Sequence, residues 1–172
     1  MRHVHWLWLP VAAVSTPVLA TTYLSVEQAQ RLMFPGARLA EAPVALSDAD
    51  AAAVARAAGT VVPHREFRVW RADGGGFFVL DEVVGKHELI TYAVALAADG
   101  TVRQVEILAY REAYGYEIRN ERWRRQFVGQ HPGAPLRIDR EIQNISGATL
   151  SCTHLTEGVA RILALYDVAL RH

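Results

Sequence analysis

Hydrophobic and polar residues follow two different periods along this chain, and the change of period separates predicted helices from predicted strands. In residues 24–34 and 46–59, apolar side chains recur at the spacing of an amphipathic helix. Ser25 and Ser47 stand at the N-cap positions, and Gly59 closes the second run. We therefore predict two capped helices in the first part of the chain.

Two β-hairpins are predicted next. Residues 66–85 hold two apolar runs around the turn Asp73-Gly74-Gly75-Gly76, and residues 88–110 repeat the arrangement around Asp99-Gly100. In the second hairpin, apolar residues mark both strands: Ile90, Tyr92, Val94, Leu96, and then Val102, Val105, Ile107 and Ala109. Such alternation is typical of strands that bury one face.

The last third of the chain returns to the helical period. Residues 120–130 predict a short helix with Trp123 and Phe127 four positions apart. A strong final helix follows, whose apolar face comprises Leu155, Val159, Ile162, Leu163, Tyr166 and Leu170. Helices, then hairpins, then helix predict a single α+β domain, an antiparallel sheet built from hairpins with packed helices.

Composition narrows the possible functions. A chain of 172 residues suits one domain, and its formal net charge of zero argues against a nucleic-acid partner. Cys152 is the only cysteine, so a disulfide within the chain and a cysteine-based zinc site are both excluded. No histidine has a second ligand at metal spacing, so no metal site is predicted.

The first twenty residues predict a secretory signal peptide. Arg2 gives a positive start, an apolar run follows, and Val18-Leu19-Ala20 has the small-residue pattern of a cleavage site. The alternative is an uncleaved N-terminal anchor, although the run is short for a membrane span and contains prolines. We expect an exported protein, periplasmic or membrane-associated on the extracytoplasmic face.

A hydroxyl-rich stretch, "NISGATLSCTH" at 144–154, precedes the final helix. Free backbone N–H groups and the helix dipole make a helix N-terminus favourable for a phosphate. Gly147 allows a close backbone approach, and the hydroxyl of Thr149 faces such an anion. The alternative from the residues alone is an ordinary polar loop whose serine or threonine caps the helix.

The letters "ISGATLS" resemble the flavinylation motif of the FMN-binding domain family. That family includes the C subunit of the sodium-pumping NADH:quinone reductase, the G subunit of the Rnf complex and small exported single-domain proteins. The resemblance implies FMN bound covalently through a phosphoester on Thr149. The family pattern usually has aspartate three residues before the serine, where this chain has Gln143.

Other stretches in the same order extend the resemblance over about 85–166. They are "GKHELITYAVALAADGTVRQVEIL", "YREAYGYEI" and "WRRQFVGQ". In the second of these, Ala113-Tyr114 replaces the family's Thr-Pro between Glu112 and Gly115. The cofactor-binding residues that the resemblance implies are Thr149, Ser146, Gly147, Ala148, Glu112 and Gly115. The predicted divisions are a signal peptide at 1–20, N-terminal helices and hairpin strand at 21–84, and the FMN-binding domain at 85–172.

Two functions from different classes follow from this pattern. The first is an electron-transfer protein whose covalent FMN works between a membrane reductase and an extracytoplasmic acceptor. Its implied partners are that membrane protein and a magnesium-dependent flavin transferase that attaches FMN from FAD. The alternative is a non-covalent FMN- or phosphate-binding module without redox turnover. A stand-alone enzyme is less favoured, because no catalytic triad or dinucleotide-binding glycine motif is visible.

Overall fold

A computed structural model describes residues 21–111 and 115–171, which form one antiparallel sheet with helices on both faces. The predicted signal peptide at 1–20 lies outside the described residues. In chain order the strands and α-helices are β1 (Thr21–Thr22), α1 (Val26–Met33), β2 (Leu39–Glu41), β3 (Val44–Ala45), α2 (Asp48–Ala58), β4 (Glu66–Ala72), β5 (Phe77–Val84), β6 (Leu89–Leu96), β7 (Val102–Tyr110), α3 (Glu121–Arg124) and α4 (Thr149–Leu165). Short 3₁₀ turns flank α3, at Tyr116–Arg119 and Arg125–Phe127, and a π-helical turn, Tyr166–Leu170, extends α4.

The sheet has seven strands in the order β1-β7-β6-β5-β4-β2, with β3 pairing a further part of β4. Both predicted hairpins are confirmed: β4 pairs with β5, and β6 pairs with β7, in each case antiparallel. A third pairing joins them, because β5 runs against β6 from Phe77 opposite Leu96 to Val84 opposite Leu89. The predicted class, a single α+β domain, is therefore confirmed.

The two faces of the sheet carry separate hydrophobic clusters. One face packs against α2 and α4 and includes all four alternating residues of β6, Ile90, Tyr92, Val94 and Leu96. The other face packs against α1 and includes Trp70, Phe78, Leu80, Ala93, Ala95 and Leu108. Adjacent strand residues point to opposite faces, so β5 and β6 are buried on both sides. The central strands thus form the rigid support for α4.

The predicted caps of the first two helices are present. Ser25 accepts a hydrogen bond from the backbone N–H of Gln28, whose side chain bonds back to Ser25. Ser47 and Asp50 form the same reciprocal pair at α2. Gly59 ends α2 with φ of +68°, in the left-handed region that glycine adopts without a steric cost.

The predicted helix at 120–130 is shorter than expected. It comprises α3 and the 3₁₀ turn after it, and the chain is extended at Val128 and left-handed at Gly129 (φ +85°). Trp123 and Phe127 nevertheless pack edge to face in the core, with ring centroids 5.3 Å apart. Packing of these two rings, rather than helix length, fixes the segment in place.

Residues 21–84 and the remainder of the chain share the sheet, since β4 and β5 precede residue 85 and β6 and β7 follow it. The division of the chain at residue 85 stays a prediction. Within the described residues, no helix combines the length and apolar character needed to cross a membrane.

Candidate functional site

The loop that leads to α4 is fixed by its backbone. The N–H of Gln143 donates to the Gln126 side chain at 2.8 Å, and its carbonyl accepts from the Trp123 indole N–H at 2.6 Å. Both partners belong to the segment around α3. Because that segment is packed in the core by Trp123, the residues after Gln143 start from a defined position. The side chain of Gln143 is exposed.

A tight turn at 145–148 delivers the chain to the helix. The N–H of Ala148 donates to the Ile145 carbonyl at 3.0 Å, and Gly147 has φ of +87°. A Cβ added at Gly147 would meet no atom within 4 Å. The requirement for glycine is therefore the left-handed backbone, not lack of space. Ser146 and Gly147 are exposed, whereas Ala148 is buried against the domain.

Thr149 is the first residue of α4, and the residue before it leaves the helix uncapped. Ala148 occupies the N-cap and supplies no side-chain hydrogen bond. Among the described residues, none accepts a hydrogen bond from the N–H groups of Thr149, Leu150 or Ser151. The interpretation of this stretch as a serine or threonine cap is therefore wrong. Within the part of the chain that the structure describes, the helix end keeps the free donors and the positive dipole end that an anion needs.

The hydroxyl of Thr149 is accessible and already oriented. The residue is exposed, and its Oγ1 accepts a hydrogen bond from Nδ2 of Asn144 at 3.2 Å. Oδ1 of Asn144 in turn accepts from the backbone N–H of Ile145 at 2.8 Å. Asn144 thus links the loop backbone to the hydroxyl. No role was assigned to Asn144 from the sequence. The available signals for one were its position directly before the motif and its amide group, which can both donate and accept a hydrogen bond.

Gly115, predicted from the separate "YREAYGYEI" stretch, lies against the same turn. A Cβ at Gly115 would be 2.6 Å from Oη of Tyr110, 3.2 Å from Oγ of Ser151 and 3.5 Å from Cβ of Ala148. Its φ of +86° also favours glycine. The structure therefore brings Gly115 together with the motif, and its role in cofactor binding stays a prediction. Glu112, with Ala113 and Tyr114, lies outside the described residues.

Buried polar contacts hold α4 beside the end of β7. The hydroxyls of Tyr110 and Ser151 are 3.1 Å apart and share a hydrogen bond in the interior. Both residues are buried, and Ser151 lies two positions after Thr149. This pair was not predicted, because nothing in the sequence pairs residues 41 positions apart. Its effect is to fix the first turn of α4 relative to the sheet.

Two large hydrophobic residues that adjoin residues of this region in the sequence are exposed, Leu150 after Thr149 and Tyr116 after Gly115. Leu150 is 46% exposed and Tyr116 is 57% exposed. One turn beyond Leu150, the Nδ1 atom of His154 lies 2.5 Å from the Val84 carbonyl and 3.0 Å from that of Gly85. These contacts attach the β5–β6 turn to the start of α4.

Cys152 is part of the core. Its side chain is fully buried, and burial raises the pKa of the thiol. A buried neutral thiol is a poor nucleophile and packs as a small apolar side chain. The hydroxyl of Thr149, not this thiol, is the accessible group at the helix entrance.

A cavity of about 580 Å³ lies farther along α4, away from the acceptor. It is bordered by the end of α2, by residues 133–138, by the face of α4 from Thr153 onward and by Asp167 of the following π-helical turn. Its size alone would favour it as a ligand site. The acceptor hydroxyl, the glycine turn and the free helix N–H groups all lie at Thr149, so we assign the candidate site there. Within the described residues, no cluster of three or more histidine, cysteine, aspartate or glutamate side chains is arranged to hold a metal.

A buried charged cluster supports the middle of α4. Asp81 on β5 accepts from Arg161 on α4 at 2.7 Å, from the Tyr92 hydroxyl at 2.7 Å and from Nε2 of His64 at 2.8 Å. Burial disfavours the charge on Asp81, but these donors outweigh it and hold the pKa of the carboxyl below its usual value. The hydrogen bond to Asp81 raises the pKa of His64.

The fold and the site together define a small α+β domain that displays one hydroxyl at the open N-terminus of a sheet-packed helix. Comparison with known proteins gives this class a name. Residues 85–164 match the sequence model of the FMN-binding domain family, from the β5–β6 turn through the SGAT turn into α4. The chain therefore carries a domain of the FMN-binding domain family. No curated protein matches the chain.

Proposed function

We propose that the protein is an exported electron carrier with FMN attached covalently through a phosphoester to Thr149. The single observation that carries this proposal is the exposed Thr149 hydroxyl on the uncapped end of α4, inside the stretch that matches the FMN-binding domain. Bound FMN supplies one-electron and two-electron transfer. The chain supplies the attachment, the orientation and the surroundings of the ring.

The residues present fit this cofactor. Three N–H groups that have no acceptor among the described residues, together with the helix dipole, favour a phosphate at Thr149. The left-handed Gly147 leaves space above the turn, because no atom lies within 4 Å of its missing Cβ. The exposed side chains of Leu150 and Tyr116 offer apolar contact for the ring.

Attachment is a group transfer from FAD catalysed by a separate flavin transferase. Oγ1 of Thr149 bonds to the phosphorus of the FMN half, and the pyrophosphate P–O bond to the AMP half breaks. AMP leaves, and the hydroxyl proton passes to a base on the transferase. No oxidant or reductant is consumed, so the step requires only FAD and the transferase with its magnesium ion.

Export and the membrane partner complete the proposal. The leader-like residues 1–20 support secretion. Covalent attachment suits a carrier outside the cytoplasm, where a dissociated cofactor would be lost. We therefore place the protein on the extracytoplasmic face, between a membrane reductase and an external acceptor.

Co-expression with an active flavin transferase tests the attachment. The purified protein should gain the mass of FMN less one water and remain fluorescent on a denaturing gel. Thr149→Ala should abolish the label, and Thr149→Ser should retain it, because the nucleophilic oxygen remains. Thr153→Ala, one turn along the same helix, is the matched control and should be labelled fully.

Other outcomes would contradict the proposal in distinct ways. Labelling of Thr149→Ala would move the acceptor to Ser146 or Ser151. Wild-type protein that binds FMN reversibly, but is never labelled, would support the non-covalent module instead. Electron transfer is checked separately, by stopped-flow reduction of the labelled protein with a membrane fraction and an electron donor such as NADH. A labelled protein that is not reduced would remove the carrier role and leave the attachment intact.

A further inference from the structure

The amide of Asn144 is the only side chain that the structure places in hydrogen-bond contact with the Thr149 hydroxyl among the described residues. We infer that Asn144 is a positioning residue, which orients Oγ1 of Thr149 for phosphoryl transfer and then holds the attached phosphate. This inference rests on the proposed attachment at Thr149. The family's usual aspartate is replaced by Gln143 in this chain. The role inferred here belongs to the next residue, Asn144.

The orientation of the Asn144 amide follows from its two contacts. The backbone N–H of Ile145 requires an acceptor, and Oδ1 is 2.8 Å from it. That contact turns the NH₂ group toward Thr149, at 3.2 Å from Oγ1. An amide NH₂ can only donate, so Oγ1 must accept. The hydroxyl proton is consequently directed away from Asn144 and stays available to a base on the transferase.

A neutral donor also suits the product better than a carboxylate would. Once Oγ1 carries a phosphorus atom, the adjacent phosphate oxygens bear negative charge, and the Asn144 N–H group can donate to them. An aspartate in the same position would place an anionic oxygen beside that phosphate. Because like charges at such short range repel strongly, the esterified product would be destabilised.

The side chain of Gln143 has no comparable contact with any described residue. Its backbone is held by Gln126 and Trp123, and its side chain is exposed. Gln143 and Asn144 are therefore neighbouring residues of similar chemistry with different predicted effects. They form a matched pair for mutation.

The test compares initial labelling rates of folded variants with FAD and a purified flavin transferase. Gln143→Ala should be labelled at the wild-type rate. Asn144→Ala should be roughly 3-fold to 10-fold slower, the effect expected from losing one neutral hydrogen bond. Asn144→Asp should be slower still, on the order of 100-fold, because it adds charge as well as removing the donor. The losses should fall on kcat rather than KM, since docking of the two proteins is unchanged.

Asn144→Asp also separates positioning from simple loop structure. It keeps the Oδ1 contact to Ile145, so a purely structural role would leave its labelling normal. Thermal unfolding confirms that each variant folds. In an independent NMR measurement, Thr149→Val, which removes only the hydroxyl, should shift the side-chain NH₂ resonances of Asn144.

Labelling of Asn144→Asp or Asn144→Ala at the wild-type rate would overturn the inference while leaving the attachment at Thr149 standing. Equal slowing of Gln143→Ala and Asn144→Ala would also overturn it, because the effect would then not depend on the contact to Oγ1. Absence of label on wild-type protein, or a label that survives Thr149→Ala, would overturn both the attachment and the inference.

Discussion

Gly158 of α4 lies directly over the hydroxyl of Tyr92. A Cβ at Gly158 would be 2.3 Å from Oη and 2.9 Å from Cζ of Tyr92, far closer than van der Waals contact allows. The missing side chain lets α4 approach β6 while the Tyr92 hydroxyl reaches Asp81. The packing of α4 on β6 and the contact between Tyr92 and Asp81 therefore both require a residue without a Cβ at position 158.

Gly158→Ala should destabilise the domain even though alanine is the better helix former. Helix propensity favours alanine by about 1 kcal/mol, but overpacking in a filled core costs about 1–3 kcal/mol and breaks the Tyr92 contact. We expect a net loss in the free energy of unfolding, measured by urea denaturation. Gly74→Ala is the control, because no atom lies within 4 Å of a Cβ there and its φ is not left-handed. A Gly158→Ala variant as stable as wild type would contradict this packing.

His64 should make stability depend on pH. Its hydrogen bond to Asp81 raises its pKa in the folded state above 6.5, so folding favours the protonated ring. The stabilisation is complete below the unfolded pKa and is lost as pH rises through the folded pKa. The free energy of unfolding should therefore fall from about pH 6.5 upward. Asp81 has the opposite behaviour, with stability lost as acid protonates it below its usual range.

His64→Gln is the test of that pH dependence. Glutamine does not titrate, so the decline in stability above about pH 6.5 should disappear from the urea denaturation series. The acid side, which depends on Asp81, should remain. If wild type and His64→Gln show the same pH profile over this range, the ring does not carry the effect.

The mature protein should begin at Thr21. The pattern Val18-Leu19-Ala20 predicts cleavage there. N-terminal sequencing of protein secreted by a bacterial host checks this. Material that retains Met1 in the membrane fraction would favour the anchor.

Cys152 should be unreactive in the native state. Because burial raises its pKa and shields the sulfur, a thiol reagent should react at pH 8 only after denaturant is added. Cys152→Ser should be labelled with FMN as wild type is, at some cost in stability from the buried hydroxyl. Rapid native reaction, or loss of label in the serine variant, would reverse this assignment.

Local features of the fold could be predicted from the sequence, whereas long-range contacts could not. The helix ends at Ser25, Ser47 and Gly59 could be predicted, because a capping residue acts on backbone groups within three or four residues of itself. The alternation in β6 and the apolar face of α4 are likewise local patterns. By contrast, Arg161 meets Asp81 across 80 positions, and no period in the sequence encodes that pairing.

The same distinction applies to the site. Thr149, Gly147 and Ala148 could be named as candidates because the motif is contiguous, and Gly115 could be named only through the family resemblance. Cofactor binding by these residues stays a prediction. The role of Asn144 depends on which way its amide points, and that is set by the Ile145 N–H in the folded loop. The lack of a side-chain cap at Ala148 could not be predicted from the sequence either, because serine and threonine residues lie near it on both sides.

The uncapped start of α4 would give the proposed cofactor attachment a thermodynamic role as well as a chemical one. A helix that lacks its N-cap gives up about 1 kcal/mol relative to a capped one. A phosphate esterified to Thr149 would accept the hydrogen bonds that Ala148 cannot, and so would complete the helix. Flavinylated protein should consequently melt at a higher temperature than the bare chain, and the bare chain should exchange its first-turn amides faster. Maturation and folding would then reinforce each other, with the modified form as the more stable product.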